Sequence, residues 1–503
     1  MKKLQYFMDN KFLDSVSESY YEVNNPSTGE LIAKMPRLTL DEVREVIKSS
    51  ERAFPGWSDT PIMKRMQILY NIRNLIEKNL DELTLLVATE HGKVLSEARG
   101  DVLKALEGTE HALAMPSNMM GESLMNVSSG YDTVLYREPI GVFAGITPFN
   151  FPSMIPFGWM APMCIACGNT MVLKVSGATP MTSLRFAELY REAGLPDGVI
   201  NVISCDRNVT NELLTNPAIK GVSFVGSTKV GLYIYKTAAE NGKRVQALCE
   251  AKNHALVMDD AALERTAAGI INAAYGCAGE RCMALPVVVA HEAIADELVS
   301  LLKKNAIQLT VGPAYDKNSK LGPLYSKSHR ESVIKWIETG ISEGAELILD
   351  GRGIKVQGYL DGFYLGPTIF DKVTEDMSIG REEIFGPVLC VKRVKSFEEG
   401  LKIMNASEFA NGSVIYTQNG HYAREFAKRT HGGMVGINVG IPVPVGCFPF
   451  SGHKHSFFGD LHILGKDGVR FYTETKCVTS HWFDEEEKKN TNISTWDGMI
   501  VEK

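Results

Sequence analysis

Hydrophobic and polar positions follow two different rhythms along this chain. Over the first hundred residues the rhythm is mostly helical: Thr39-Leu-Asp-Glu42 is a capping box, and Val43, Val46 and Ile47 share one face of the helix it opens. Further helical patterns run from Pro61 to Leu85 and from near Val102 to Ala114. From about residue 132 the texture changes to short β-branched runs, each followed by a Gly/Pro turn and an amphipathic segment: TVLYREPIGVFAGI, NTMVLKVS, GVINVIS, GVSFVGS and RVQALC. That alternation predicts βαβ units and a parallel sheet, hence an α/β fold. A second αβ series starts near Ala255, with helices around Ala261 to Tyr275 and His291 to Asn305 and strands at Pro286 to Ala290, Glu346 to Leu349 and Val388 to Val394.

At 503 residues the chain exceeds one ordinary core, so two or three domains are expected. Its 44% hydrophobic content supplies a large interior, and a net charge of -7 with scattered lysines and arginines gives no footprint for nucleic acid or an anionic membrane. Nine cysteines at irregular spacing are not a disulfide framework and point to a reducing compartment. Cys164 and Cys167 form a C-x-x-C among apolar neighbours, with no second pair at metal spacing, so it reads as packing and no metal is expected. The opening MKKLQYFMDNKFLD meets Asp9 and Asp14 too early for a signal peptide. The uncharged run from Pro139 to Leu173 is broken by Pro148, Pro152, Pro156 and Pro162, which argues for buried turns over a membrane span. A cytoplasmic location is expected, and residues 483–503 read as a charged tail.

Four stretches carry candidate chemistry. TPFNFP places the amide of Asn150 in a proline-stiffened turn, suited to an oxyanion. FVGSTKVG puts Gly226, Ser227 and Thr228 between a strand and a helix, where free N–H groups suit a phosphate, although it is not a G-x-G-x-x-G. EEIFGP holds an acidic pair before an aromatic and a turn. In AAYGCAGERCMAL the cation of Arg281 beside Cys282 favours thiolate, which makes Cys282 a better nucleophile than Cys277.

Taken in order, these residues resemble the aldehyde dehydrogenase superfamily over nearly the whole chain. The resemblance implies that Cys282 is the nucleophile and Asn150 the oxyanion amide. It implies cofactor contacts from Phe149, Lys174, Gly226, Ser227, Glu383 and Phe385, with PFSG (Pro449 to Gly452) as a late marker. The implied layout is a Rossmann-type NAD-binding domain (residues 1–120 and 141–251), an α/β catalytic domain (252–447) and a small β oligomerisation flap (121–140 and 466–482). A homo-oligomer, dimer or tetramer, is expected. The chain looks most like the CoA-acylating methylmalonate-semialdehyde dehydrogenase branch, on KRVQALCEAKNH, GERCMAL, INVGIPVPVGCFPFSG and FFGDLHILGKDGVRFYTETK.

That branch implies NAD-dependent oxidation of malonate or methylmalonate semialdehyde through a cysteine thioacyl intermediate. The acyl group then passes to coenzyme A, with decarboxylation to acetyl-CoA or propionyl-CoA. Leu248 stands where hydrolytic members carry a glutamate base, and an apolar side chain takes no proton from water. A thiol acceptor is already nucleophilic near neutral pH, so the missing base and the CoA reading support each other. Glu250 stands where the family has glycine; if the strand continued it would share the face of Leu248, as a displaced base or as a surface or cofactor-adjacent carboxylate. Arg281 is expected to lower the Cys282 pKa and to grip a substrate carboxylate, joined by Lys104 where the branch usually has a second arginine. Gly177 replaces a ribose-binding glutamate, which leaves NADP open beside NAD. The alternatives are a hydrolytic NAD(P)-dependent dehydrogenase of another small anionic aldehyde, and a retired enzyme serving as a structural protein.

Overall fold

The computed structural model describes residues 2–490; the part of the expected tail from 491 onward lies outside the described residues. Five strands, Val142–Ile146, Thr170–Lys174, Ile200–Ile203, Ile219–Val225 and Arg244–Leu248, form a parallel sheet. They are almost wholly buried, which is why they read as continuous apolar runs. From Val142–Ile146 the chain builds outward through the next two strands, then crosses back to place Ile219–Val225 and Arg244–Leu248 on the other side. Such a reversal opens a crevice at the carboxyl ends of the strands, here beside Ile146 and Val225. Phe457–Gly459 extends one edge antiparallel, and Tyr6–Met8 with Lys11–Leu13 extends the other, giving eight strands.

A second sheet of seven strands is centred on His254–Val257, Val287–His291 and Val388–Val394, all parallel. Glu346–Leu349 closes its edge antiparallel. A third sheet pairs Tyr131–Pro139 with Thr473–His481 along an unbroken ladder from Thr473 opposite Pro139 to His481 opposite Tyr131, and carries Ser123–Ser128 on its other side. Leu124, Met125 and Val127 on that outer strand are exposed.

Two expectations need correcting. The segment before residue 37 is not helical: it forms five short strands, from Lys2–Lys3 to Leu31–Pro36, stabilised by pairing with distant or neighbouring strands and too short to show a period. The run TVLYREPIGVFAGI is two strands in two different sheets, parted at Ile140-Gly141. Asn169 holds that junction: its Oδ1 accepts the N–H groups of Ile140 (2.7 Å) and Gly141 (3.0 Å), and its Nδ2 donates to the Tyr472 carbonyl (2.7 Å).

The capping box forms as read, with Glu42 N–H donating to Thr39 Oγ1 and Thr39 N–H donating to Glu42 Oε2 at 2.8 Å. Cys164 and Cys167 lie in the core. Among the described residues no helix is long and apolar enough to cross a membrane.

Candidate active site

The loop carrying Cys282 follows the helix Leu263–Tyr275. It leaves the helix through Cys277 and Ala278, both at φ 52°, a left-handed conformation that non-glycine residues hold only when their surroundings impose it. The surroundings are visible. The Cys277 N–H donates to Glu97 Oε1 at 2.8 Å, from the distant helix Leu95–Ala112. Gly279, at φ +77°, backs so closely onto Gly386 that a side chain would overlap its carbonyl. Asn253 Nδ2 donates to the carbonyls of Cys282 and Ala284, each at 2.8 Å. Cys277 is buried within this framework, while Cys282 stays partly exposed.

Cys282 opens onto a cavity of about 430 Å³ at the carboxyl ends of the parallel strands. Phe149, Asn150, Gly226, Ser227, Glu383 and Phe385 line the same cavity, so it brings together seven of the sequence-predicted residues. Asn150 Nδ2 donates to the Glu280 carbonyl at 3.1 Å, two residues before the nucleophile, and its Oδ1 is buried without a partner. Phe149 stacks on Tyr325 at 3.6 Å between ring centres and meets Phe385 edge-on at 6.0 Å. Phe385 itself sits at φ 57°. Glu383 Oε1 accepts the Ala251 N–H at 3.1 Å; burial, with help from Glu250, pushes its carboxyl up to about 8.

The Cys282 side chain does not rest as a thiolate. Burial pushes the Cys282 thiol up to about 12, and Glu383 adds to the rise. The N–H groups of Cys282 and Met283 and the charge of Arg281 pull the other way without prevailing. The expected effect of Arg281 therefore has the right sign but is outweighed by desolvation.

Other predicted residues take different positions. Lys174 ends the strand Thr170–Lys174; burial lowers its pKa, against an upward pull from Cys205 and Asp206. A side chain at Gly177 would overlap the ring of Tyr21, whose hydroxyl donates to the Cys205 carbonyl (3.1 Å) and contacts Asp206 (3.2 Å). Arg281 Nη2 donates to the Asn272 carbonyl at 2.7 Å, and its Nε is buried without a partner. Lys104 pairs with Glu107 at 2.6 Å on the helix Leu95–Ala112; neither cation lines the cavity. Leu248 is 5% exposed. Glu250 does not share its face, because the strand stops at Leu248 and the Glu250 carboxylate turns to accept the Thr228 N–H at 2.9 Å.

Sequence reasoning missed His329 and Glu280. His329 lines the cavity, and its Nε2 lies 2.7 Å from the Phe385 carbonyl and 3.6 Å from Glu280 Oε1. The Glu280 carboxyl is fully buried, accepts the Tyr325 N–H at 3.2 Å, and is pushed well above the usual carboxylate range by desolvation. The only signal was Glu280 inside GERC; nothing in SKSHRES marks His329.

The arrangement fits a dinucleotide. The helix Thr228–Glu240 starts at the crevice; its N-cap, Ser227, lines the cavity without a side-chain capping bond, and the Thr228 N–H is held by Glu250. A thiol that opens onto the cavity beside a fixed amide suits covalent attack on a carbonyl. Residues 12–478 match the aldehyde dehydrogenase family, and the chain belongs to it. It is an oxidoreductase whose relatives carry narrower names. Malonate-semialdehyde dehydrogenase 2 of Geobacillus kaustophilus is 47% identical over 483 residues, 96% of this chain and 99% of that one. Methylmalonate-semialdehyde dehydrogenase of Oceanimonas doudoroffii superposes with a TM-score of 0.95 at 42% identity, covering 97% of this chain and 100% of its own. A Sinorhizobium meliloti protein assigned the same activity and complexed with NAD gives a TM-score of 0.95 at 41% identity, with 96% and 99% covered.

Proposed function

We propose that this chain oxidises malonate or methylmalonate semialdehyde with NAD or NADP through a thioester on Cys282, then passes the acyl group to coenzyme A. Loss of carbon dioxide makes the product acetyl-CoA or propionyl-CoA. The observation that carries the acyl-transfer half is the lack of a free carboxylate base at the thiol. Leu248 is apolar and buried, Glu383 is neutral below about pH 8 and bonded to Ala251, and Glu250 is bonded to Thr228. Water finds no free carboxylate here to take its proton, and His329, the other basic group lining the cavity, has its Nε2 engaged at the Phe385 carbonyl, whereas a thiol acceptor ionises by itself to a useful extent.

In this reading the Cys282 thiol gives its proton to solvent, Sγ attacks the aldehyde carbon, and the alkoxide that forms is met by Asn150 Nδ2 and the Cys282 N–H. Asn150 spends one of its two amide hydrogens on Glu280, which fixes the direction of the other. Gly226 and Ser227 bind the cofactor's diphosphate, Lys174 its ribose, and Glu383 with Phe385 the nicotinamide end. When bound, that cofactor accepts the hydride. Arg281 and Lys104 serve as substrate anchors in this reading only on leaving the Asn272 carbonyl and Glu107, since neither lines the cavity. The exposed apolar strand Ser123–Ser128 supports an oligomerisation role for residues 121–140 and 466–482, set against a cofactor domain (1–120, 141–251) and a catalytic domain (252–447).

The test is to incubate the protein with NAD or NADP and acidic aldehydes, with and without CoA, and to identify the product by mass spectrometry. Acyl-CoA formed only with CoA is expected. Free acid formed equally fast without CoA refutes the acyl-transfer reading.

A further inference from the structure

Glu250 is the carboxylate in this cavity that the reaction leaves without a task. After the strand Arg244–Leu248 ends, the chain turns so that the Ala251 N–H reaches Glu383. The same turn sends Glu250 sideways: Oε2 accepts the Thr228 N–H at 2.9 Å, and the Glu250 N–H donates to Thr228 Oγ1 at 3.3 Å. Thr228 is the first residue of the helix Thr228–Glu240, the end at which backbone donors and the helix dipole favour an anion. One of those donors already holds an anionic group belonging to the chain.

We propose that Glu250 is a built-in competitor for the cofactor's diphosphate, which must displace the carboxylate from Thr228 to bind. The proposal rests on Gly226 to Thr228 being the diphosphate site. Displacement leaves two unfavourable consequences for binding: a helix donor must change partners, and a carboxylate remains beside a diphosphate. No lysine or arginine lines the cavity among the described residues to neutralise it, and Lys252 nearby in sequence is buried with its Nζ bonded to the Ile379 carbonyl. Glu383 lines the same cavity; its pKa is raised chiefly by burial, with a smaller contribution from Glu250. Glu250 thereby sets the cofactor affinity of this chain.

The test is calorimetric titration of NAD, ADP-ribose and adenosine into the parent, Glu250→Gln and Glu250→Gly. Glutamine keeps the shape and removes the charge; glycine removes both. Both variants are expected to bind NAD and ADP-ribose about five- to thirty-fold tighter, the range of a charge at a helix N-terminus. Adenosine, which has no phosphate, is expected to bind all three proteins alike, and the gain to shrink at high salt. Unchanged or weaker ADP-ribose binding by both variants overturns the proposal, as does an equal gain for adenosine, which would mean a reshaped cavity. A parent and variants that all fail to bind ADP-ribose overturn the diphosphate reading and this proposal together.

Discussion

The protonation state of Cys282 is directly measurable. Burial and Glu383 carry the thiol from an ordinary 9.0 to about 12, a shift of about 4 kcal/mol against the thiolate. At pH 8 about one Cys282 in ten thousand is then ionised, against roughly one in ten for an unperturbed thiol. Iodoacetamide alkylation of the cofactor-free protein, with exposed Cys447 and Cys477 replaced by serine, is expected to run about a thousandfold slower than for a free thiol. The rate is expected to rise with pH without reaching a plateau. Glu383 adds a second feature. Its carboxyl, raised to about 8, is neutral below that pH and ionises above it, so above pH 8 a new negative charge opposes the thiolate. The logarithm of the parent rate should climb with unit slope at low pH, less steeply across about pH 7–9 where Glu383 ionises, and with unit slope again above that window. Glu383→Gln keeps an acceptor for the Ala251 N–H and should restore unit slope. A parent plateau below pH 8, or identical slopes in parent and variant across about pH 7–9, refutes the account.

Two further outcomes follow from the geometry. Asn150→Ala removes the proposed oxyanion donor and is expected to lower kcat by about 10²–10³ in steady-state NADH production, with NAD affinity by calorimetry little changed. Gly177→Glu, which would restore a ribose-binding carboxylate by sequence logic, must instead displace Tyr21 from Cys205 and Asp206; a destabilisation of about 1–3 kcal/mol, read from urea unfolding, is expected without tighter NAD binding.

The parallel core was legible because its strands are buried on both faces, so that TMVLK or VSFV declares itself by composition alone. A short strand such as Tyr6–Met8 was not, since it is joined to the sheet by a partner nearly two hundred residues away. At the site, Cys282, Asn150, Glu383 and Phe385 were readable as short motifs whose order matters. The pKa of Cys282 was not: a sequence shows the adjacent arginine but not the depth of burial that outweighs it. The sequence left two readings of Glu250 open for a related reason, since one strand end decides whether its side chain faces Leu248 or Thr228. His329 carries no local signature because its role comes entirely from the Phe385 carbonyl and Glu280 beside it.

The hydrogen bonds around the nucleophile span long stretches of chain: Glu97 to Cys277, Asn150 to Glu280, Asn253 to Cys282 and Ala251 to Glu383. Neither large sheet contains the finished site, because the groups that hold it come from segments flanking both. In refolding from denaturant, secondary structure and much of each hydrophobic core can return while the loop through Cys277 and Ala278 still lacks what keeps it left-handed. Recovered dehydrogenase activity is therefore a clock for the docking of the two sheets, and circular dichroism is a clock for their formation.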